Sequence, residues 1–102
     1  MDTLSLATFA PHVGHGFRAR LTAERVVDLE LVEVKPLGAT SGGVVREAAG
    51  RQPFALYFKG PGALLLPQQI YRIEHDALGD RDIFIVPLGP KQGGMLYEAI
   101  FT

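Results

Sequence analysis

The chain has 102 residues, 47% of them hydrophobic and 21% charged, with a formal net charge of -1. That is the balance of one globular domain, with apolar area for a single core and no room for a second. Charges of both signs are interspersed and no apolar run reaches transmembrane length, so neither nucleic acid nor membrane is an expected partner.

Cysteine is absent, which excludes disulfides, thiolate metal sites and a cysteine nucleophile. The start, Met1-Asp2-Thr3-Leu4-Ser5, lacks a basic segment followed by an apolar one. A signal peptide is therefore not expected, and a cytoplasmic location is. Asn and Trp are also absent and Arg outnumbers Lys, a bias that suggests a GC-rich bacterial genome. Turns must then be built from Gly, Pro and Asp, and 12 Gly and 7 Pro are available.

Residues 3–10 read as a short helix with Thr3 or Ser5 as N-cap, ended by Pro11, with Leu4, Leu6 and Phe9 on its apolar side. Residues 1–16 are thus helix and turn. From Phe17 the pattern is β: Phe17, Ala19 and Leu21 alternate with Arg18 and Arg20, and Val27, Leu29 and Leu31 with Asp28 and Glu30. A hairpin register that satisfies both faces sets Leu21 against Val27, Ala19 against Leu29 and Phe17 against Leu31. Arg20 then meets Asp28, and Arg18 meets Glu30. The alternation slips at Leu31-Val32, which predicts a bulge, and Pro36 ends the strand.

Residues 37–52 form a long Gly-rich connection, although Val44-Val45 could extend a strand. Phe54, Leu56 and Phe58 make the next inward row, and Gly60-Pro61-Gly62 reads as a turn. Residues 70–75 follow as a strand with Tyr71 and Ile73 inward, and the chain turns at Gly79. Residues 83–88 are apolar on both faces, the mark of a central strand covered on both sides. Gly89-Pro90 and Gly93-Gly94 flank a turn, and residues 96–101 close the chain with Tyr97, Ala99 and Phe101 on one face. The expected fold is all-β: a small six-stranded antiparallel meander closed as a barrel, the N-terminal helix capping one open end. A two-layer sandwich is the alternative.

In this order the segments resemble a bacterial and phage-associated domain family of unknown function. The likeness is carried by Phe9-Ala10-Pro11-His12-Val13-Gly14 with Phe17, Leu29 to Val34, Pro53-Phe54, Phe58 to Pro61, Leu66-Pro67-Gln68, Tyr71 to His75, Leu78-Gly79, Phe84 to Pro90 and Tyr97 to Phe101. It spans nearly the whole chain except residues 37–52. The resemblance implies a place near tail-collar-like proteins, in a phage tail or tail-like particle, and no catalytic residues.

Four groups of residues are candidates for chemistry. His12 and His15 form His-x-x-His, with His75 elsewhere in the chain. Two histidines do not make a zinc site, which takes at least three protein ligands, so exposed or turn-stabilising histidines and no metal are expected. A weak divalent site would form only if His75 or Asp76 folded beside them. Glu30, Glu33, Glu74 and Glu98 alternate with core residues, the pattern of a solvated sheet face, and Ser5 and Ser41 lack a nucleophile elbow. No enzyme and no cofactor are expected.

Leu64-Leu65-Leu66 either fills a barrel mouth or, extended by Tyr57 and Ala55 and together with the connection over residues 37–52, offers an anchor to a protein partner or a second copy. An apolar small molecule held among Phe54, Phe58, Tyr71 and Phe84 is the alternative, although small barrels are usually filled by their own side chains. The reading favoured by these residues is a non-enzymatic structural or interaction module.

Overall fold

The computed structural model describes residues 5–37 and 53–101. The expected strand at Val44-Val45, the N-cap role of Thr3 and nearly all of the long connection lie outside the described residues. Helix α1 (Leu6–Phe9) runs into a 3-10 turn (Ala10–His12), followed by β1 (Gly16–Arg20), β2 (Val26–Pro36), β3 (Phe54–Pro61), β4 (Gln69–His75), β5 (Gly79–Lys91) and β6 (Gly94–Phe101). The strands close into an antiparallel barrel in the order β1-β2-β3-β6-β5-β4.

Within each half, neighbours in sequence are neighbours in space. The halves join where β3 pairs with β6 and β1 with β4, whereas one continuous meander would have joined β3 to β4. In a ring of six, β3 and β4 stand opposite each other. Residues 62–68 must therefore cross one mouth of the barrel.

Outside β5, whose apolar run set no parity, the inward rows match the expected alternation. Phe17, Ala19, Leu29, Leu31, Phe54, Leu56, Phe58, Tyr71, Ile73, Ile83, Ile85, Tyr97 and Ala99 are buried in one core. Each large apolar side chain withdrawn from water is worth about 1.5–3 kcal/mol. Helix α1 caps the mouth where β3 begins and β6 ends. Its Phe9 ring lies 5.9 Å from that of Phe54 and 5.8 Å from that of Phe101, and the last two are stacked at 4.8 Å.

The helix begins at Ser5, whose backbone N–H donates to the Thr8 hydroxyl. Pro11 does not end the helical stretch as expected. It sits at the start of the 3-10 turn, where a missing N–H costs no intrahelical bond.

The first hairpin differs from its expected register by two residues. Phe17 pairs with Leu29, Arg18 with Asp28, Ala19 with Val27 and Arg20 with Val26. A shift of two preserves which side chains face inward, so burial cannot choose between the registers. The turn does choose. Leu21 and Thr22 both donate their N–H to the Arg25 carbonyl, which places Leu21 in the turn. Arg20 therefore does not meet Asp28, nor Arg18 Glu30. Both arginines reach across to β4, Arg20 binding Glu74 through two nitrogens at 2.7 and 3.3 Å. Arg18 lies 3.6 Å from Glu74 and 3.0 Å from Asp76.

The expected bulge in β2 falls between Leu31 and Glu33, and Pro36 ends the strand. Strand β5 is not covered on both sides, since its Phe84 and Leu88 are exposed. A barrel wall has one wet face, and a strand apolar on both parities simply exposes half its residues. Gly89-Pro90, expected to flank a turn, lies within β5 next to a bulge between Pro87 and Gly89, and the turn follows it as expected. Two prolines with no N–H to donate are accommodated at such an irregularity. Gly60 and Pro61 likewise belong to β3. The β5–β6 turn is made by Gln92 and Gly93, both left-handed at φ 48 and 82°, as a tight two-residue hairpin demands.

Candidate functional site

The histidines converge beside the helix-capped mouth. His12 ends the 3-10 turn, His15 directly precedes β1, and His75 is the last residue of β4. Between the first two, Gly14 adopts φ 93°, a left-handed conformation that a side chain would strain. The Gly14 N–H donates to the Leu31 carbonyl at 2.7 Å, and the Leu31 N–H to the His15 carbonyl at 3.1 Å. These two bonds pin the loop to β2 and deliver His15 next to the end of β4.

A ring nitrogen of each histidine lies within 4.8 Å of those of the other two. The His12 and His15 Nδ1 atoms are 3.2 Å apart, and the His75 ring stacks parallel to His15 with centroids 5.6 Å apart. His75 is buried and leans on Phe17 at 4.4 Å. Its Nδ1 accepts the backbone N–H groups of Ala77 and Leu78, at 3.0 and 3.2 Å. Nδ1 is thus unprotonated, and the neutral ring carries its proton on Nε2. Burial first, and then the proximity of His12 and His15, lower the His75 pKa and favour that neutral ring. Asp76, the other partner considered for the pair, is engaged by Arg18.

The leucine run divides by residue. Leu66 is 1% exposed and its N–H donates to the Tyr97 hydroxyl at 2.9 Å, while that hydroxyl donates to the Leu64 carbonyl. Leu64 packs against the core, and Leu65 alone is well exposed, at 56%. Two of the three leucines therefore close the mouth that residues 62–68 cross. Ala55 is buried, and the half-buried Tyr57 donates its hydroxyl to Glu98 at 2.8 Å, which raises the phenol pKa. These residues do not assemble into a broad patch.

The four aromatics expected to line a ligand cavity are also separated. Phe54, Phe58 and Tyr71 are packed in the core, with the Tyr71 hydroxyl donating to the Pro67 carbonyl at 2.6 Å, but Phe84 is on the outer wall. Ile83 and Ile85 take the inward places beside it. In an unbroken apolar run the sequence offers no cue to which parity faces in.

That outward Phe84 belongs to a surface the sequence did not single out. It pairs directly with Ile70 on β4, and two residues beyond the Val86–Glu98 pair of β5 and β6 it falls level with Ile100. The three are 64% (Ile70), 46% (Phe84) and 50% (Ile100) exposed, an apolar row across three adjacent strands. The legible signal was Ile70, an apolar residue on the parity opposite Tyr71 and Ile73.

A family model described as a domain of unknown function, DUF6916, matches residues 4–101. The chain belongs to the DUF6916 family. The match runs from the helix cap to the last strand, so the DUF6916 unit includes the whole barrel, both mouth closures and all three histidines. No curated protein and no solved structure matches it. Among the described residues, no helix is long and apolar enough to cross a membrane.

Proposed function

We propose that this DUF6916 domain is a non-enzymatic interaction module that binds another protein surface through the wall of β4, β5 and β6. The observation that carries the reading is the exposed row Ile70–Phe84–Ile100. Three large apolar side chains held side by side on a rigid sheet form a surface of the kind that marks association sites. Much of the surrounding polar surface is spent internally: Arg20 on Glu74, Arg72 on Asp82 and Tyr57 on Glu98. A place in a tail-like particle is part of the proposal and rests on the family resemblance alone. Neither nucleic acid nor membrane is a proposed partner. The ligand-binding alternative loses support because Phe84 faces away from Phe54, Phe58 and Tyr71.

The test is a photo-crosslinking amino acid placed at Phe84 in the host cell, with the same group at exposed Glu33 on β2 as control. A discrete protein adduct at position 84 and none at 33 is expected, and Phe84→Glu should abolish the same association in sedimentation. A covalent dimer would identify the partner as a second copy. No adduct at position 84, from a protein that is folded and expressed, would refute the reading.

A further inference from the structure

We propose that His12, His15 and His75 form a binding site for a divalent transition-metal ion of the zinc or nickel class. This is independent of the interaction surface, whose Ile70, Phe84 and Ile100 include none of the three histidines. The argument begins with spacing. Zinc–nitrogen bonds of roughly 2.0–2.1 Å in a tetrahedron put two ligand nitrogens about 3.3 Å apart. The His12 and His15 Nδ1 atoms already stand 3.2 Å apart as a hydrogen-bonded pair, so a bound ion replaces that hydrogen bond, the shared proton moving to the donor ring's Nε2, while the spacing changes little. Both are carried by a loop anchored to Leu31, and His75 comes from a strand end, so folding supplies the third nitrogen. Imidazole nitrogens suit zinc, copper and nickel, and three of them leave a coordination position to solvent.

His75 imposes a condition on the site. A metal-bound histidine ordinarily offers its other ring N–H to an acceptor, whereas here Nδ1 accepts from the Ala77 and Leu78 amides. Binding through Nε2 therefore needs the proton to leave Nε2 and arrive on Nδ1, the ring staying neutral. A protonated Nδ1 no longer accepts, so the two turn hydrogen bonds break. The metal thus competes with the β4–β5 turn, and its affinity is reduced by the cost of opening residues 76–78. The site is consequently a weak, exchanging one, coupled to a named turn.

The whole chain, freed of metal with a chelator, is titrated with zinc alone and followed by calorimetry and by NMR of the backbone amides and imidazole nitrogens. Saturable binding of one ion per chain is expected, with ring shifts at all three histidines and displacement of the Ala77 and Leu78 amide signals. His12→Ala and His15→Ala, both at accessible positions, should each weaken binding more than about tenfold. Failure to saturate at millimolar zinc overturns the proposal. So does saturation that leaves His75, Ala77 and Leu78 unmoved, because the ion would then sit on a two-histidine surface chelate.

Discussion

The two mouths of the barrel are closed by different means. Where β3 ends, the chain has no choice but to cross, and the crossing segment is fastened from within by the Tyr97 hydroxyl, which accepts from Leu66 and donates to Leu64. At the opposite mouth the cover is α1, attached through Phe9 between Phe54 and Phe101 and through the loop that carries the histidines. The first closure is part of the connectivity and cannot be undone without unfolding the sheet. The second is a docked segment, expected to lift while the strands stay paired. All three histidines gather at the helix-capped mouth.

That contrast can be broken most directly at the fixed mouth. Leu66→Ala should cost about 2–5 kcal/mol of global stability in urea unfolding, as for other fully buried leucines. Phe9→Ala removes more volume, yet its cost is bounded by the docking energy of the segment, about 2–3 kcal/mol, at or below the low end for buried phenylalanine. Its hydrogen-exchange signature should be confined to residues 6–15, and a uniform loss of protection would contradict the picture of a detachable cap. Tyr97→Phe leaves the buried Leu66 N–H without its acceptor and should cost roughly 1–2 kcal/mol, read by the same unfolding assay.

The smallest effect concerns acid. Glu74 ionises below its ordinary value of 4.5, chiefly because Arg20 hydrogen-bonds its carboxylate. A depressed carboxylate contributes stability that is complete above the unfolded value and fades as pH falls through the folded one. Thermal unfolding from pH 6 to pH 3 should therefore show a steeper loss for the native chain than for Glu74→Gln. Parallel curves would show that the pair contributes nothing, the common fate of exposed ion pairs.

Much of this architecture is legible in the sequence, and the failures have definite causes. Alternation places Phe17, Leu29, Phe54, Phe58, Tyr71 and Tyr97 inside, because each strand of a small barrel has one dry face. It cannot set the register of the first hairpin, because a shift of two leaves every face unchanged; the hydrogen bonds of the Leu21–Arg25 turn decide it. It also misplaces Phe84, where both parities are apolar. The histidine cluster is the hardest case. His12 and His15 are neighbours in sequence, but His75 joins them only because β1 pairs with β4, a pairing that no local pattern encodes. The leucine run shows the opposite: its apolarity is plain, but only the crossing topology tells that Leu66 is core and Leu65 is surface.

The ring of strands also has a shortest seam. Strands β1 and β4 share only the register pairs Arg18–Glu74, Ala19–Ile73 and Arg20–Arg72, against eight pairs between β3 and β6. A closed sheet offers no free edge for another chain to extend, so strand addition requires a seam to unzip, and the fewest backbone bonds stand in the way here. The Arg18 and Arg20 contacts to Glu74 act as stitches across that line. Opening that seam would turn a sealed cylinder into an open ribbon with two free margins, and the charge cluster lies across the line where the fewest register pairs hold the ring shut.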